Sequence, residues 1–265
     1  GSQMLSPYFI SLVENSLTAI EEISEETGLV VDDVKVFDLS KIEGAVNLKL
    51  QINEKEVNLE ELNFLLKYPK IRRVKFLELD KNEFFDEGIE AISTAPLLEN
   101  LVSLSLKSNK VSDKGLSSLA NSTTLKSLTA LYLQKNQFSV VGLQEIASSK
   151  TLSSLKLLYL KGNPFGADGA KVLAENSQWN FLKQLYLQGC QIEDQGLRYL
   201  CDSSLLKSVE ELNISFNQLT DSAVDILIES QIELSILDVA VNHIDESNID
   251  RLKTCGQFKT VLIGQ

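Results

Sequence analysis

The chain has 265 residues, 43% of them hydrophobic and 23% charged, the balance of a folded protein with a sizeable core. Its formal charge of −12 argues against nucleic acid or anionic membrane as the main partner. No apolar run approaches the roughly 18 residues that a membrane span needs, and one histidine with three scattered cysteines leaves neither a metal-ligand spacing nor a disulfide framework.

In chain order, residues 1–4, "GSQM", read as a cloning scar and are set aside. Residues 5–45 form an acidic N-terminal helical cap: residues 1–60 hold 12 acidic side chains against 4 basic ones, two thirds of the net charge. Ser6 as cap and Pro7 in the first turn start an amphipathic helix. Its apolar Phe9, Ile10, Val13, Leu17, Ile20 and Ile23 recur at three- and four-residue spacing, and Gly28 stops it. The helix is expected to cap an array rather than dock a partner. Asp32 and Asp33 follow as a solvated loop pair. Residues 46–73 open with "VNLKLQINEKEVNLEELNFLL", a degenerate first strand-then-helix unit.

Residues 74–252 repeat. Asn82, Asn109, Asn136, Asn163, Cys190 and Asn217 stand 27 residues apart, with Asn242 after 25. Apolar residues fall five and three positions before each anchor, as in Leu131 and Leu133, and another two after it, as in Phe138. Glycine stands six after in five units (Gly88, Gly115, Gly142, Gly169, Gly196), and an aliphatic residue ten after in all seven. The Leu-x-Leu alternation puts both side chains on one face of a short strand. The following segments have helical spacing, with Asp86, Asp113, Asp194 and Asp221 near the helix starts. The glycines mark a passage too close to a neighbour for a side chain. One such unit cannot bury its apolar face alone, so the units stack into a solenoid. Residues 253–265 form a C-terminal cap, with "FKTVLIG" as an edge strand.

The segments "LVSLSLKSNKV" and "LTALYLQKNQF" meet the pattern L-x-x-L-x-L-x-x-N/C-x-L, and the chain resembles the leucine-rich-repeat family. Repeat length and helical half are most similar to the ribonuclease-inhibitor-like subclass. The resemblance implies an α/β horseshoe with parallel strands on a concave face and helices on a convex one. It also implies a non-enzymatic recognition scaffold, an adaptor or an effector-type protein such as bacteria direct at host proteins. The alternatives are a regulator of an enzyme, such as a GTPase-activating protein, or the substrate-reading part of a larger enzyme. A cytoplasmic location is expected, in the source cell or, for a secreted effector, in a host cell, with the chain acting as a monomer.

If Leu131 and Leu133 point inward, the residues between and beside them face out. The central outward column is Glu78, Ser105, Tyr132, Tyr159, Tyr186, Asn213 and Asp238. Strands about 4.8 Å apart turn the three tyrosines into a ladder, a side chain suited to binding hot spots. Lys107, Gln134, Lys161 and Gln188 stand in the next column and Phe216 in the one after. With Glu78, Asn213 and Asp238 these compose the expected protein-binding face.

No catalytic constellation, cofactor motif or metal site is expected. Cys190 occupies an anchor position where, in the family, asparagine bonds backbone groups and cysteine substitutes for it; a buried thiol without a cationic neighbour is inert. His243 follows Asn242 in a loop with no base–nucleophile–orienter spacing.

Overall fold

The computed structural model describes residues 7–24, 30–35, 47–176 and 178–264. Among the described residues eleven strands form one sheet. In chain order they are β1 Leu17–Ile23, β2 Val30–Lys35, β3 Asn47–Gln51, β4 Val74–Glu78, β5 Ser103–Ser105, β6 Ala130–Tyr132, β7 Leu157–Tyr159, β8 Gln184–Tyr186, β9 Glu211–Asn213, β10 Leu234–Asp238 and β11 Phe258–Leu262. From β3 to β11 every neighbour is the next strand in sequence and every pairing is parallel. Helices α2 Leu59–Lys67, α3 Phe85–Ser93, α4 Asp113–Ala120, α5 Val140–Ala147, α6 Gly166–Asn176, α7 Glu193–Cys201, α8 Ser222–Ser230 and α9 Glu246–Thr254 make the connections, each packing on the next. The core is one continuous apolar layer between strands and helices, with Leu104, Leu131, Leu158, Leu185 and Leu212 inaccessible to solvent.

The N-terminal segment departs from the single helix expected over Pro7–Gly28. Helix α1 covers Pro7–Ser16 only, and Leu17–Ile23 is the strand β1, antiparallel to both β2 and β3. Phe9, Val13, Leu17 and Ile20 are buried, so the apolar spacing is real but is shared by two kinds of backbone. The reason is non-local. Strand β3 would present an unpaired edge, which a strand covers with backbone hydrogen bonds and a helix does not. Thr18, Ile20 and Ile23 are β-branched and suit that role. Asp32 and Asp33 belong to β2 rather than to a loop. Ser6 and Gly28, the expected cap and stop, and residues 1–4 lie outside the described residues.

The anchors form a ladder along the turns after the strands. Asn136 is typical: its Oδ1 accepts from the Asn109 and Val111 N–H groups (3.0 and 3.1 Å), and its Nδ2 donates to the Leu106 and Leu133 carbonyls (3.1 and 3.0 Å). Each anchor thus satisfies backbone groups that neither helix nor sheet can pair. Cys190 keeps half of this, its Sγ donating to the Leu160 carbonyl at 3.2 Å.

A second ladder runs along the helix starts. The aspartates expected there serve the next unit more than their own. Asp113 Oδ1 accepts from the Ser139 and Gly142 N–H groups (2.7 and 2.9 Å), and its Oδ2 from the Ser139 hydroxyl at 2.6 Å. Asp86 makes the same contacts with Ser112 and Gly115, and Asp194 bonds Thr220. This explains part of the glycine column. A methyl group on Gly115 would stand 2.5 Å from Asp86 Oδ1, and one on Gly142 2.6 Å from Asp113 Oδ1. The side chain that glycine makes room for is the preceding unit's aspartate.

Candidate functional site

Strand pairing puts the central column in register. Glu78 lies opposite Ser105, Ser105 opposite Tyr132, and so on through Tyr159, Tyr186 and Asn213 to Asp238. The three tyrosines stack as the strand spacing requires: ring centroids are 6.0 Å apart with planes at 23° for Tyr132–Tyr159, and 4.4 Å at 18° for Tyr159–Tyr186. All three are half-buried, so their edges face solvent while their faces cover one another.

Polar side chains brace the ladder. Gln188 Nε2 donates to the Tyr159 hydroxyl at 2.9 Å; Gln184 Nε2 donates to the Tyr186 hydroxyl at 3.2 Å and to Glu211 Oε2 at 2.9 Å. Burial first, then the Glu78 carboxylate and Tyr159, push the Tyr132 phenol up to about 12. Burial, then the carboxylate of Glu211 and the hydrogen bond to it, raise Tyr186 further. Tyr132 and Tyr186 are therefore neutral near pH 7, and the ladder is a set of apolar rings with hydroxyl rims.

The remaining expected residues divide. Lys161 is exposed, Lys107 and Gln134 are half-buried, and all three flank the tyrosines. Glu78 accepts from Gln51 Nε2 (2.7 Å) and Asn53 Nδ2 (2.8 Å), which fixes its carboxylate. Asn213 donates to Asp238 at 3.2 Å and accepts from the Ser215 N–H at 3.0 Å. Phe216 is 56% exposed beyond the ladder, beside the equally open Val241. Both hold left-handed backbone, which a β-branched residue adopts rarely. Gln188 belongs elsewhere: at 7% exposure it is a strut under Tyr159 rather than a contact. The struts Gln184 and Glu211 were legible as the outward column two positions before Tyr186 and Asn213, but nothing in that column marks a hydrogen bond.

The thiols are as the anchor reading requires. Cys190 is fully buried and burial pushes its thiol up to about 12; Cys201 is similarly placed. His243 is exposed beside Asn242. Among the described residues no group of three His, Cys, Asp or Glu side chains is placed to hold a metal ion, and no helix is long and apolar enough to cross a membrane.

A leucine rich repeat family model matches five segments, residues 98–120, 124–147, 151–174, 180–201 and 206–225. No curated protein matches the chain. Among solved structures, a chain of the yeast Rad7–Elc1 complex is similar at 16% identity, with 78% of this chain and 67% of that one covered and a TM-score of 0.41. An internalin, InlF, from Listeria monocytogenes str. 4b F2365 is similar at 21% identity and a TM-score of 0.46, covering 82% of this chain and 58% of the internalin chain. Five matched repeats, set on strand-and-helix units joined in one parallel sheet, identify the chain as a leucine-rich-repeat solenoid.

Proposed function

We propose that the outward face of the sheet is a docking face for a protein partner, centred on Tyr132, Tyr159 and Tyr186, and that the chain acts as a recognition scaffold rather than as a catalyst. Leucine-rich repeats generally serve protein–protein recognition. The observation that carries the reading here is the stacked, braced tyrosine ladder. Rings held in place before binding lose little rotamer freedom on contact, so their apolar edges and hydroxyl rims convert efficiently into affinity. Helices are thicker than strands, and a stack of such units curves with its strands inside. The ladder then lies on a concave wall, where a partner can be touched by several units at once. Lys107, Gln134, Lys161 and Glu78 supply polar contacts around it, and Phe216 an apolar one at the far end. An effector or adaptor role in a cytoplasmic compartment fits such a scaffold, and the ribonuclease-inhibitor-like subclass fits its helical halves.

The test is affinity capture from native or host-cell lysate with the wild type beside the Tyr132→Ala, Tyr159→Ala, Tyr186→Ala triple variant. A hot-spot tyrosine is worth about 2 kcal/mol or more, so the triple variant should lose retention of the captured protein by well over a hundredfold while keeping its fold. Equal retention by both overturns the proposal.

A further inference from the structure

The ladder stops at Ser105. Where the central column could carry a fourth ring, a serine leaves one face of Tyr132 uncovered by any rung, with Glu78 one strand further on. The gap is a cavity of about 480 Å³ lined by Glu78, Asp80, Ser105, Tyr132, Gln134 and Phe76, with Lys49 and Lys107 also on its wall. Its chemistry is that of acceptors beside an aromatic face. Glu78 is oriented by two neutral amides, and Asp80 is buried, accepting from the Ser105 hydroxyl (2.7 Å) and the Lys107 N–H (2.8 Å). Among the described residues neither carboxylate lies in an ion pair. Gln134 Oε1 is buried without a hydrogen-bond partner.

Resting on the docking-face reading, we propose that this cavity seats an arginine side chain of the protein partner as the missing rung. Strands two apart are separated by about 9.6 Å, so a planar group entering over Ser105 lies within stacking distance of Tyr132 and within reach of Glu78. A guanidinium has the plane for the first contact and a fork of N–H donors for the second. A lysine ammonium fits less well. An ammonium is a point charge with no plane to lay over Tyr132 and no fork of donors to span a carboxylate, whereas a guanidinium has both. A partner aromatic ring would satisfy Tyr132 but leave the acceptors unmet.

The probe is Nα-acetyl-arginine amide, titrated into the ¹⁵N-labelled chain at physiological salt, with the citrulline and lysine amides as controls. Arginine should shift the Ser105, Lys107 and Tyr132 amides with saturation in the millimolar range, citrulline and lysine at least fivefold more weakly. Glu78→Gln should weaken the response at least fivefold, and Ser105→Tyr, which fills the gap with a fourth ring, should abolish it. No localised shift, an equal response to citrulline or lysine, or an unchanged response in either variant overturns the arginine seat. Neither variant touches Tyr159 or Tyr186. Loss of the seat with capture still dependent on the tyrosines therefore leaves the docking face standing, and tyrosine-independent capture overturns the docking face and, with it, the seat for a partner's arginine.

Discussion

Replacing Asn136 by alanine removes one rung of the anchor ladder from the middle of the array. Two backbone N–H groups, those of Asn109 and Val111, then lose their acceptor, and the Leu106 carbonyl loses a donor. The Leu133 carbonyl keeps the Asn163 Nδ2 at 2.8 Å and is not orphaned. A buried unsatisfied group costs about 1–3 kcal/mol, so the two N–H groups alone set an expected loss of about 2–6 kcal/mol, a large part of the 5–15 kcal/mol typical of a folded domain. Trp179 provides the signal: it is the one tryptophan, 2% exposed, its indole N–H donating to the Leu152 carbonyl of the preceding unit at 2.9 Å. Urea unfolding followed by its fluorescence and by far-ultraviolet circular dichroism should give a lower midpoint at similar slope. Amide exchange should accelerate first at Asn109 and Val111. A loss below about 1 kcal/mol with unchanged exchange at those two amides would refute the claim that the anchors hold the turns by hydrogen bonding.

Cys190→Asn should leave stability unchanged or raise it by about 1 kcal/mol, because the amide restores an acceptor as well as a stronger donor; a lower melting temperature contradicts this. In the native state Cys190 should resist alkylation at pH 8 and react only on unfolding, since burial holds its thiol near 12; peptide mass mapping reads the result. Asp113→Ala should cost about 1–2 kcal/mol at pH 7, the value of a helix cap. Burial pushes the Asp113 carboxyl up, but the Ser139 hydroxyl, Ser139 N–H and Gly142 N–H outweigh it and hold it below its usual value. Stability from a depressed carboxyl is present above its unfolded pKa and is lost as pH falls through the folded one. The gap between wild type and variant should therefore close below about pH 4, and a gap that persists at pH 2 contradicts the clamp. Gly115→Ala should destabilise by about 1–3 kcal/mol, and less so in an Asp86→Ala background, where the carboxylate it meets is gone; strict additivity in a double-mutant cycle argues against that contact.

What was legible in the sequence follows from what a repeat makes local. The leucines of each strand, the anchor and the tyrosine column recur at fixed spacing, so periodicity alone places them on faces, and the structure puts Tyr132, Tyr159 and Tyr186 in one stack. What was not legible depends on the neighbouring unit. Leu17 and Ile20 satisfy a helical spacing as well as any residue of α1, yet the open edge of β3 draws them into a strand. Asp113 has the position of an ordinary helix-start residue, yet its carboxylate caps the next unit 26 residues away. Gln188 sits in an outward column, yet the hydroxyl of Tyr159, 29 residues before it, pulls it into the wall.

The same distinction bears on the proposed docking face. Its rings are fixed by the unit on either side, so affinity at one rung depends on the rungs beside it. Tyr159 has a ring on both faces and a hydroxyl held by Gln188, so its edge is what it exposes, and it holds Tyr132 and Tyr186 at their spacing. Tyr132 and Tyr186 each end the stack of rings, and the cavity beside Tyr132 separates it from Glu78. The face proposed for docking is therefore a strip that changes along its length. At one end Glu78 and Asp80 lie beside the outer ring, in the middle packed ring edges are apolar, and at the other end Glu211 and Asp238 lie near Phe216 and Val241, which stand open on left-handed backbone. In the proposed docking mode both ends carry carboxylates, Glu78 and Asp80 at one and Glu211 and Asp238 at the other, so the end-to-end difference a bound segment can read is the cavity beside Tyr132 rather than formal charge.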